Sequence, residues 1–336
     1  MDETTRLSKA LSPKPKPTQD WPEIALEEGV LIEEECFPWY QPEKWYSVEI
    51  GDVIKDRYQI LVKLGYGSVS TAWLCRDLQT TNYVGLKIYE TGHRQSLNET
   101  KVPDHLDATA NPKHPGYNLL RFRLDSFELP GKVGPHVCLV HKPLSVSIEF
   151  LREMFEGKLP LNPGRPALIG MILALDYLHK VAGIVHTDLQ EANILLSVGK
   201  DHCVFDEAVD EEWSDPSPRK TTNGRVVHVT TSIELPDDGA QPVITDFGEA
   251  KFGSNLYYEE VMPDLTAWNK KIDIWALGLM IWDMFEGKHL FNQRLPSREE
   301  SAAAHLARMI SLLGPPPAEL IETGPRSSLF SNNDGQ

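Results

Sequence analysis

The sequence predicts an α+β fold of two lobes, a small strand-rich N-terminal lobe and a mainly helical C-terminal lobe. Short segments rich in β-branched and aromatic residues, bounded by Gly, Asn or Asp, recur up to residue 141. This pattern predicts successive antiparallel strands. After Pro143 the apolar residues recur three and four positions apart, which is typical of amphipathic helices. A strand-rich part followed by a helix-rich part favours two packed units with a cleft between them.

The predicted elements follow in chain order. Residues 1–40 are polar, Pro-containing and then acidic, which predicts a flexible tail with a short packed segment at 37–40. The predicted strands span residues 58–64, 71–76, 83–89 and 136–141. A helix with one apolar face is predicted over 166–180, and a fully buried helix over 272–286, where almost every position is apolar. Ser297 and Glu300 form a capping box for a last helix, which ends at Gly314 before three prolines.

Composition limits the functional classes. The chain has 336 residues, of which 41% are hydrophobic and 24% charged, as in ordinary soluble proteins. No apolar run approaches the roughly 20 residues that span a bilayer, and the N-terminus lacks the apolar core of a secretory signal, so no membrane partner is expected. The four cysteines are scattered without a C-x-x-C pair, which disfavours a zinc site or disulfide framework and favours a reducing compartment.

The net charge of −16 disfavours direct nucleic-acid binding through the whole surface. An acidic surface can hold a basic partner, or it can serve only solubility, and the charge does not decide between them. We expect a monomer. Cytoplasm is the expected location, since Lys14-Pro-Lys16 is too short for a basic import cluster.

A glycine pair marks the first candidate site. Gly65 and Gly67 lie between two predicted strands, while Ser70 stands where a third glycine would complete a phosphate-binding loop. Glycines there let the backbone approach a phosphate and turn its amides toward it. The alternative is an ordinary hairpin turn.

Lys87 is the second candidate, because it lies in a predicted interior strand between Leu86 and Ile88. A lysine among apolar neighbours needs a partner, and such a lysine can hold nucleotide phosphates. The alternative is a lysine that strand alternation directs outward.

The strongest signal is a pair of motifs, His186-Thr-Asp-Leu-Gln-Glu-Ala-Asn193 and Thr245-Asp-Phe-Gly248. Asp188 can orient an attacking hydroxyl and accept its proton, Asn193 can hold one Mg²⁺, and Asp246 can hold Mg²⁺ against phosphates. Phosphoryl transfer needs little covalent chemistry from the protein, so positioning and charge neutralisation suffice. The order and spacing of these motifs after the glycine pair and Lys87 predict this chemistry.

Together these residues resemble the eukaryotic protein kinases and, within them, the serine/arginine-rich protein-specific kinases in their small fungal-type form. The resemblance covers about residues 46–335 and rests on segments 48–53, 57–60, 63–67, 70–74, 86–89, 186–188, 216–220, 287–291 and 312–317. It implies the bilobal protein-kinase fold, with an N-lobe at 41–143 and an incomplete C-lobe at 144–336. Residues 197–241 would be an insertion, and the nucleus becomes a second location.

The resemblance also implies ATP and Mg²⁺ as cofactors and Ser or Thr of basic, Arg/Ser-rich proteins as substrates. Lys87 would bind phosphate, Asp188 would act as base, and Asn193 and Asp246 would be the metal ligands. Glu99 would be the helix partner of Lys87, although Pro103 would tend to end that helix. Asp273 would fix the backbone of the catalytic loop.

The insertion is the main length difference, because the 52 residues between Asn193 and Asp246 (194–245) far exceed a hairpin loop. Its acidic first half and Pro-containing second half predict a solvated loop. A surface for basic substrates or partners is the alternative.

Three departures leave a second hypothesis open. Gln190 stands where such kinases carry a lysine, and no Ala-Pro-Glu motif lies in the 24 residues between Gly248 and Asp273 (249–272). The chain also ends at Gln336, where relatives continue with more helices. The leading hypothesis is therefore a serine/threonine protein kinase, and the alternative is a catalytically impaired, kinase-fold ATP-binding scaffold.

Overall fold

The computed structural model describes residues 11–16, 30–199, 203–235, 240–253, 269–291 and 302–317. The N-terminal part is a six-stranded antiparallel sheet of order β1-β2-β3-β4-β6-β5. Its elements are β1 (Val53–Ile54), β2 (Tyr58–Gly67), β3 (Ser70–Asp77), β4 (Tyr83–Tyr89), helix α1 (Arg94–Ala108), β5 (Arg123–Leu129) and β6 (His136–His141). The four predicted strands are confirmed. Strand β5 was not predicted because four of its seven residues are charged or polar without a regular period of two, and β1 was not predicted because it has only two residues.

The C-terminal part combines helices with short strands. Its elements are β7 (Leu144–Ser147), α2 (Ile148–Met154), α3 (Leu161–Tyr177), β8 (Ile184–Val185), β9 (Ile194–Ser197), α4 (Cys203–Ser214), β10 (Arg219–Thr222), β11 (Arg225–His228), β12 (Pro242–Ile244), β13 (Lys251–Phe252), α5 (Lys271–Glu286) and α6 (Ala302–Leu313). Strands β12, β9 and β7 form one small sheet, while β13 pairs with β8 and β10 with β11. The α+β fold of two lobes is thus confirmed.

Helix α1 runs through Pro103, contrary to the expectation that this proline ends it. Proline removes one backbone donor and crowds the preceding turn. Val102 and Leu106 flank it, are completely buried and belong to the core cluster that α3 and β9 share. Their burial outweighs the local cost, and the helix therefore carries Glu99 toward the cleft.

Helix α5 is not buried all round, so that prediction is wrong. Met280 and Met284 are buried, whereas Ile274, Trp275 and Trp282 are 53%, 46% and 39% exposed. Only one face of the helix packs on the core cluster. On the other face Trp275 stacks on Phe291 and remains partly exposed. The capping box at Ser297 and Glu300 lies outside the described residues. The end of the last helix at Gly314 is confirmed, because α6 stops at Leu313 and Gly314 has a φ of +85°.

The predicted solvated loop at 197–241 is also wrong for the described part of the insertion. Helix α4 places Phe205 and Val209 in a buried cluster with Leu61 and Leu74 of the N-terminal sheet. The apolar face of α4 was hidden in the sequence by its five acidic residues. Four of them (Asp206, Glu207, Asp210 and Glu211) are exposed on the opposite face, whereas Glu212 is buried and bonded to Ser217 and Thr231. The insertion is therefore packed against the strand that leads to the glycine pair.

The acidic N-terminal segment differs from the flexible tail expected up to residue 40. Residues Glu33–Cys36 form a short 3-10 helix, and Glu34 is 1% exposed. Its carboxylate pairs with Lys63 of β2 and Arg225 of β11. Acidic residues are expected to be exposed only when no cation neutralises them. Here Lys63 and Arg225, both distant in sequence, neutralise Glu34 and allow its burial. Among the described residues, no helix has the length and apolar character needed to cross a membrane.

Candidate active site

The candidate active site is a cleft between the N-terminal sheet, helix α1 and the loop after β12. Its lining residues are Lys87, Glu99, Pro103, Arg121, His141, Asp246 and Phe247. Strand β4 supplies Lys87, α1 supplies Glu99, and Asp246 follows β12 directly. Two consecutive elements and a loop remote from them in sequence therefore bring one cation and two carboxylates together.

Lys87 points into this cleft, so the alternative of an outward lysine does not hold. Its ammonium group donates to Glu99 at 3.1 Å and lies 3.5 Å from Oδ2 of Asp246. Burial lowers the pKa of Lys87, but the charges of Asp246 and Glu99 outweigh it and leave the pKa raised. Lys87 therefore stays protonated, as a residue that binds phosphate must.

Burial raises the pKa of both carboxylates, but their net pKa shifts are opposite. Lys87 holds the pKa of Asp246 well below its usual value, against the effect of burial. Burial raises the pKa of Glu99, and Lys87 only partly opposes it. Asp246, whose side chain is 41% exposed, is thus the anionic group that faces the open cleft.

The catalytic-loop candidates lie together after β8. The side-chain amide of Asn193 donates to the backbone oxygen of Asp188 at 2.8 Å and to its carboxylate at 3.1 Å. The side-chain nitrogen of Gln190 lies 3.3 Å from both carboxylate oxygens of Asp188. Burial raises the pKa of Asp188 and the charge of Asp246 adds to this, although His186, Asn193 and Gln190 oppose them. A carboxylate with a raised pKa is a better proton acceptor.

Asp273 fixes the backbone of this loop. Its carboxylate accepts hydrogen bonds from the amides of His186 at 2.8 Å and Thr187 at 2.9 Å, and contacts His179 at 2.7 Å. Thr187 has a φ of +68°, which is strained for a β-branched residue. Its hydroxyl donates to the backbone oxygen of Glu249 at 2.8 Å. Asp273 therefore holds the strained turn that aims Asp188, as the resemblance implies.

The loop of Asp246 is tied to the same framework. The backbone amide of Thr245 donates to the oxygen of Asn193 at 2.9 Å, and the His186 ring contacts the oxygen of Thr245 at 2.9 Å. On the other side, Asn98 of α1 donates to the oxygen of Gly248 at 2.8 Å. A shift of α1 would consequently move both Glu99 and the loop that carries Asp246.

The glycine pair ends strand β2. Gly67 pairs with Ser70 across a hairpin. The hairpin turn that was the alternative to a phosphate-binding loop is therefore present. A Cβ on Gly65 would meet nothing within 4 Å, and one on Gly67 would meet only the Ser70 hydroxyl at 3.7 Å. The space beside these glycines is therefore open enough for a ligand to approach the backbone.

The oxygen groups of Asp246 and Asn193 fit Mg²⁺. Magnesium prefers oxygen ligands and usually takes one or two carboxylates, completing its shell with water and substrate phosphates. Within the described ranges no cluster of three or more His, Cys, Asp or Glu residues could hold a metal alone. Because the Asn193 amide nitrogen is committed to Asp188, its oxygen is the group left to bind a cation.

Two cleft residues were missed by sequence reasoning. Arg121 and His141 line the cleft beside Lys87. The signal for Arg121 was a cation within the apolar stretch Leu119-Leu-Arg-Phe122, which is the same kind of signal that marked Lys87. His141 gave no such signal, because it is the last residue of a predicted strand and nothing in the sequence marks it as a cleft residue.

Comparison with known proteins identifies the family of this chain. The protein kinase domain model matches residues 58–223. A serine/threonine protein kinase of Aspergillus fumigatus is 34% identical, over 98% of this chain and 84% of that protein. The serine/threonine-protein kinase SRPK of Physarum polycephalum is 28% identical, over 88% and 76%. Human SRSF protein kinase 3 is 32% identical over 53% of this chain and 32% of that protein. The chain belongs to the protein kinase family, as a serine/threonine kinase with SR-protein kinases among its relatives.

Proposed function

We propose that this kinase transfers the γ-phosphate of ATP, bound with Mg²⁺, to Ser or Thr hydroxyls of Arg/Ser-rich proteins. The observation that carries the proposal is the position of Lys87, whose ammonium group lies within 3.5 Å of both Glu99 and Asp246. This arrangement supports a phosphate-binding site. Asp188 and Asn193 supply the groups that would face the substrate hydroxyl and the Mg²⁺.

Each residue has a positional role in this proposal. Lys87 binds phosphate oxygens while Glu99 holds its ammonium group in place. Asp188 orients the substrate hydroxyl and accepts its proton, which its raised pKa favours. Asp246 and the Asn193 amide oxygen would hold Mg²⁺, which when bound neutralises charge on the phosphate oxygens.

Arg/Ser-rich substrates are supported by the names of two relatives and by charge. Two relatives are named SRPK and SRSF protein kinase 3, and the chain carries a net charge of −16. An acidic surface raises the local concentration of basic peptides and speeds their association. We propose action as a monomer, in the cytoplasm first and the nucleus second.

The scaffold alternative is favoured by one observation. Gln190 places a neutral amide 3.3 Å from both oxygens of Asp188, where related kinases carry a lysine. In the transition state, negative charge spreads over the phosphoryl oxygens. Without that cation, this charge loses one stabilising partner.

Phosphate transfer to an Arg/Ser-repeat peptide separates the two functions. We expect the protein to transfer radiolabel from ATP to Ser of the peptide, and Asp188→Ala to abolish transfer while Mg-ATP still stabilises that variant against heat. Asp246→Ala should lose this stabilisation. Absence of transfer from folded protein that binds Mg-ATP would support the scaffold, and stabilisation that survives in Asp246→Ala would contradict the site assignment.

A further inference from the structure

Arg121 is a cleft cation that forms no ion pair within the described part of the chain. Its side-chain Nε is buried and has no hydrogen-bond partner. Among the described residues, no carboxylate lies within 4.0 Å of the guanidinium, whereas Lys87 in the same cleft has two. A buried guanidinium nitrogen without an acceptor is costly. An acceptor on a ligand would remove that cost.

The position of the guanidinium is defined by Gly85. A Cβ on Gly85 would lie 3.3 Å from Nη2 of Arg121 and 3.7 Å from the Cα of Pro143, in the segment that joins the two lobes. Gly85 and Lys87 are two residues apart on β4 and therefore face the same side. Glycine at position 85 leaves room for the guanidinium at this point of the cleft.

Strand register gives the direction of the cleft. Along β3, Ser70 pairs with Tyr89, Ala72 with Lys87 and Leu74 with Gly85. The glycine turn lies at the Ser70 end, and Gly85 lies on the other side of Lys87. A nucleotide whose phosphates reach the glycine turn and Lys87 must consequently extend its base toward Gly85, Arg121 and Pro143.

The charge around Arg121 fits a base with acceptors. Burial lowers the pKa of Arg121, while Glu99, Tyr89 and Asp246 oppose this from a distance. Burial, together with the charges of Arg121, Lys87 and Arg123, keeps the pKa of His141 well below its usual value, although the backbone oxygen of Phe122 opposes them. The nearest imidazole is therefore neutral, and Arg121 is the charged donor at this end of the cleft.

We propose that Arg121 binds the nucleobase and that its paired donors favour a purine edge with two acceptors, so that this kinase accepts GTP as well as ATP. The inference rests on the proposed nucleotide site. Arginine offers five donors and no acceptor, and it binds O6 and N7 of guanine through two hydrogen bonds. Adenine presents N7 beside an amino donor, which the guanidinium repels.

Binding to the unmodified protein tests this without a variant. Isothermal titration calorimetry in the presence of Mg²⁺ would give Kd for ATP, GTP and ITP. The Kd of ITP tests the proposed contact, because ITP carries the O6 and N7 acceptors without the 2-amino group of guanine. We expect ITP to bind within about tenfold of ATP or more tightly. ITP binding more than tenfold weaker than ATP would overturn the inference and leave the nucleotide site intact. Absence of binding by every nucleotide would overturn both.

A matched pair of variants locates the effect. Arg121→Met should weaken ITP relative to ATP by roughly 5- to 150-fold, the range of one bidentate base contact. Arg76→Met is the control, because Arg76 stacks on Tyr83 outside the cleft, and its ITP-to-ATP ratio should equal that of the parent. Equal weakening of both nucleotides by Arg121→Met, or none, would overturn the assignment. If Arg121→Met does not fold, the ITP result decides.

Discussion

The ammonium group of Lys63 lies 2.6 Å from the carboxylate of Glu34, and both side chains are 1% exposed. Lys63 also donates to the backbone oxygen of His228 at 2.8 Å, and Glu34 pairs with Arg225. Lys63 stands two residues before Gly65 on β2. The N-terminal segment and the β10–β11 hairpin are therefore held to the glycine strand by one buried charge network.

Removing the charge of Glu34 should destabilise the fold strongly. Glu34→Gln leaves Arg225 without its buried anion, and leaves Lys63 with Glu33, 3.3 Å away, as its remaining carboxylate among the described residues. This loss costs about 3–5 kcal/mol of unfolding free energy. Urea denaturation measures this loss. Lys16→Met is the control, because Lys16 pairs with Asp52 but is 56% exposed, and such pairs contribute at most about 1 kcal/mol. Similar losses in the two variants would show that the network contributes little.

Asp77 should make stability depend on pH in the acid range. Burial opposes ionisation, but hydrogen bonds from Arg57 and Thr80 lower its pKa to about 2 from the usual 3.8. A lowered folded-state pKa stabilises the fold above pH 3.8, and this contribution is lost as pH falls toward 2. Asp77→Asn should lower the unfolding free energy at neutral pH by up to about 2 kcal/mol. It should also make the unfolding free energy less dependent on pH between pH 5 and 2. An unchanged slope would contradict this.

Gln190→Lys should raise activity. A lysine near Asp188 would supply the cation that the transferring phosphoryl group lacks, and one such donor is worth on the order of tenfold or more in kcat. Steady-state kinetics on an Arg/Ser-repeat peptide measures the change, with Gln190→Met as the uncharged control. If kcat fell to the same extent in both variants, the amide itself would be the group that matters.

Asp273→Asn should lower kcat more than it weakens ATP binding. The neutral amide has one acceptor oxygen, so either His186 or Thr187 loses its backbone partner, at about 1–3 kcal/mol. The turn that aims Asp188 would relax, whereas Lys87 and Glu99 remain in place. We expect kcat to fall roughly 5- to 150-fold with Kd for ATP nearly constant. Asp283→Asn on the same helix, which contacts His289, should leave both unchanged.

The pH profile of kcat should report Asp188. A proton acceptor works only when ionised, so activity should fall as pH drops through the raised pKa of this carboxylate. Gln190→Met removes a hydrogen bond that favours the ionised form and should therefore move the acidic limb to higher pH. Initial rates from pH 4 to 9 with both proteins measure the limb. A shift to lower pH in the variant would contradict the assigned contact.

Local motifs explain what could be predicted. Asp188 and Asn193 are five positions apart in one loop, and their contact requires only the short-range geometry of that loop. Lys87 was recognised as a cation in an apolar strand, and its partner Glu99 lies only 12 positions away. Nearby residues have few ways to meet, which favours such short-range contacts, but the pairing of Lys87 with Glu99 was implied by the family resemblance and not by the pattern alone.

Tertiary structure decided which charges are buried. Glu34 reads as part of a solvated tail, yet its partner Arg225 is 191 positions away. Pro103 reads as a helix end, yet buried neighbours carry α1 past it. The sequence by itself determined the two lobes, four of the six strands of the sheet and the residues of the phosphoryl-transfer motifs. Only the tertiary structure placed the insertion, the N-terminal acids and Arg121, because the cost of burying a charge depends on partners that the chain brings together from afar.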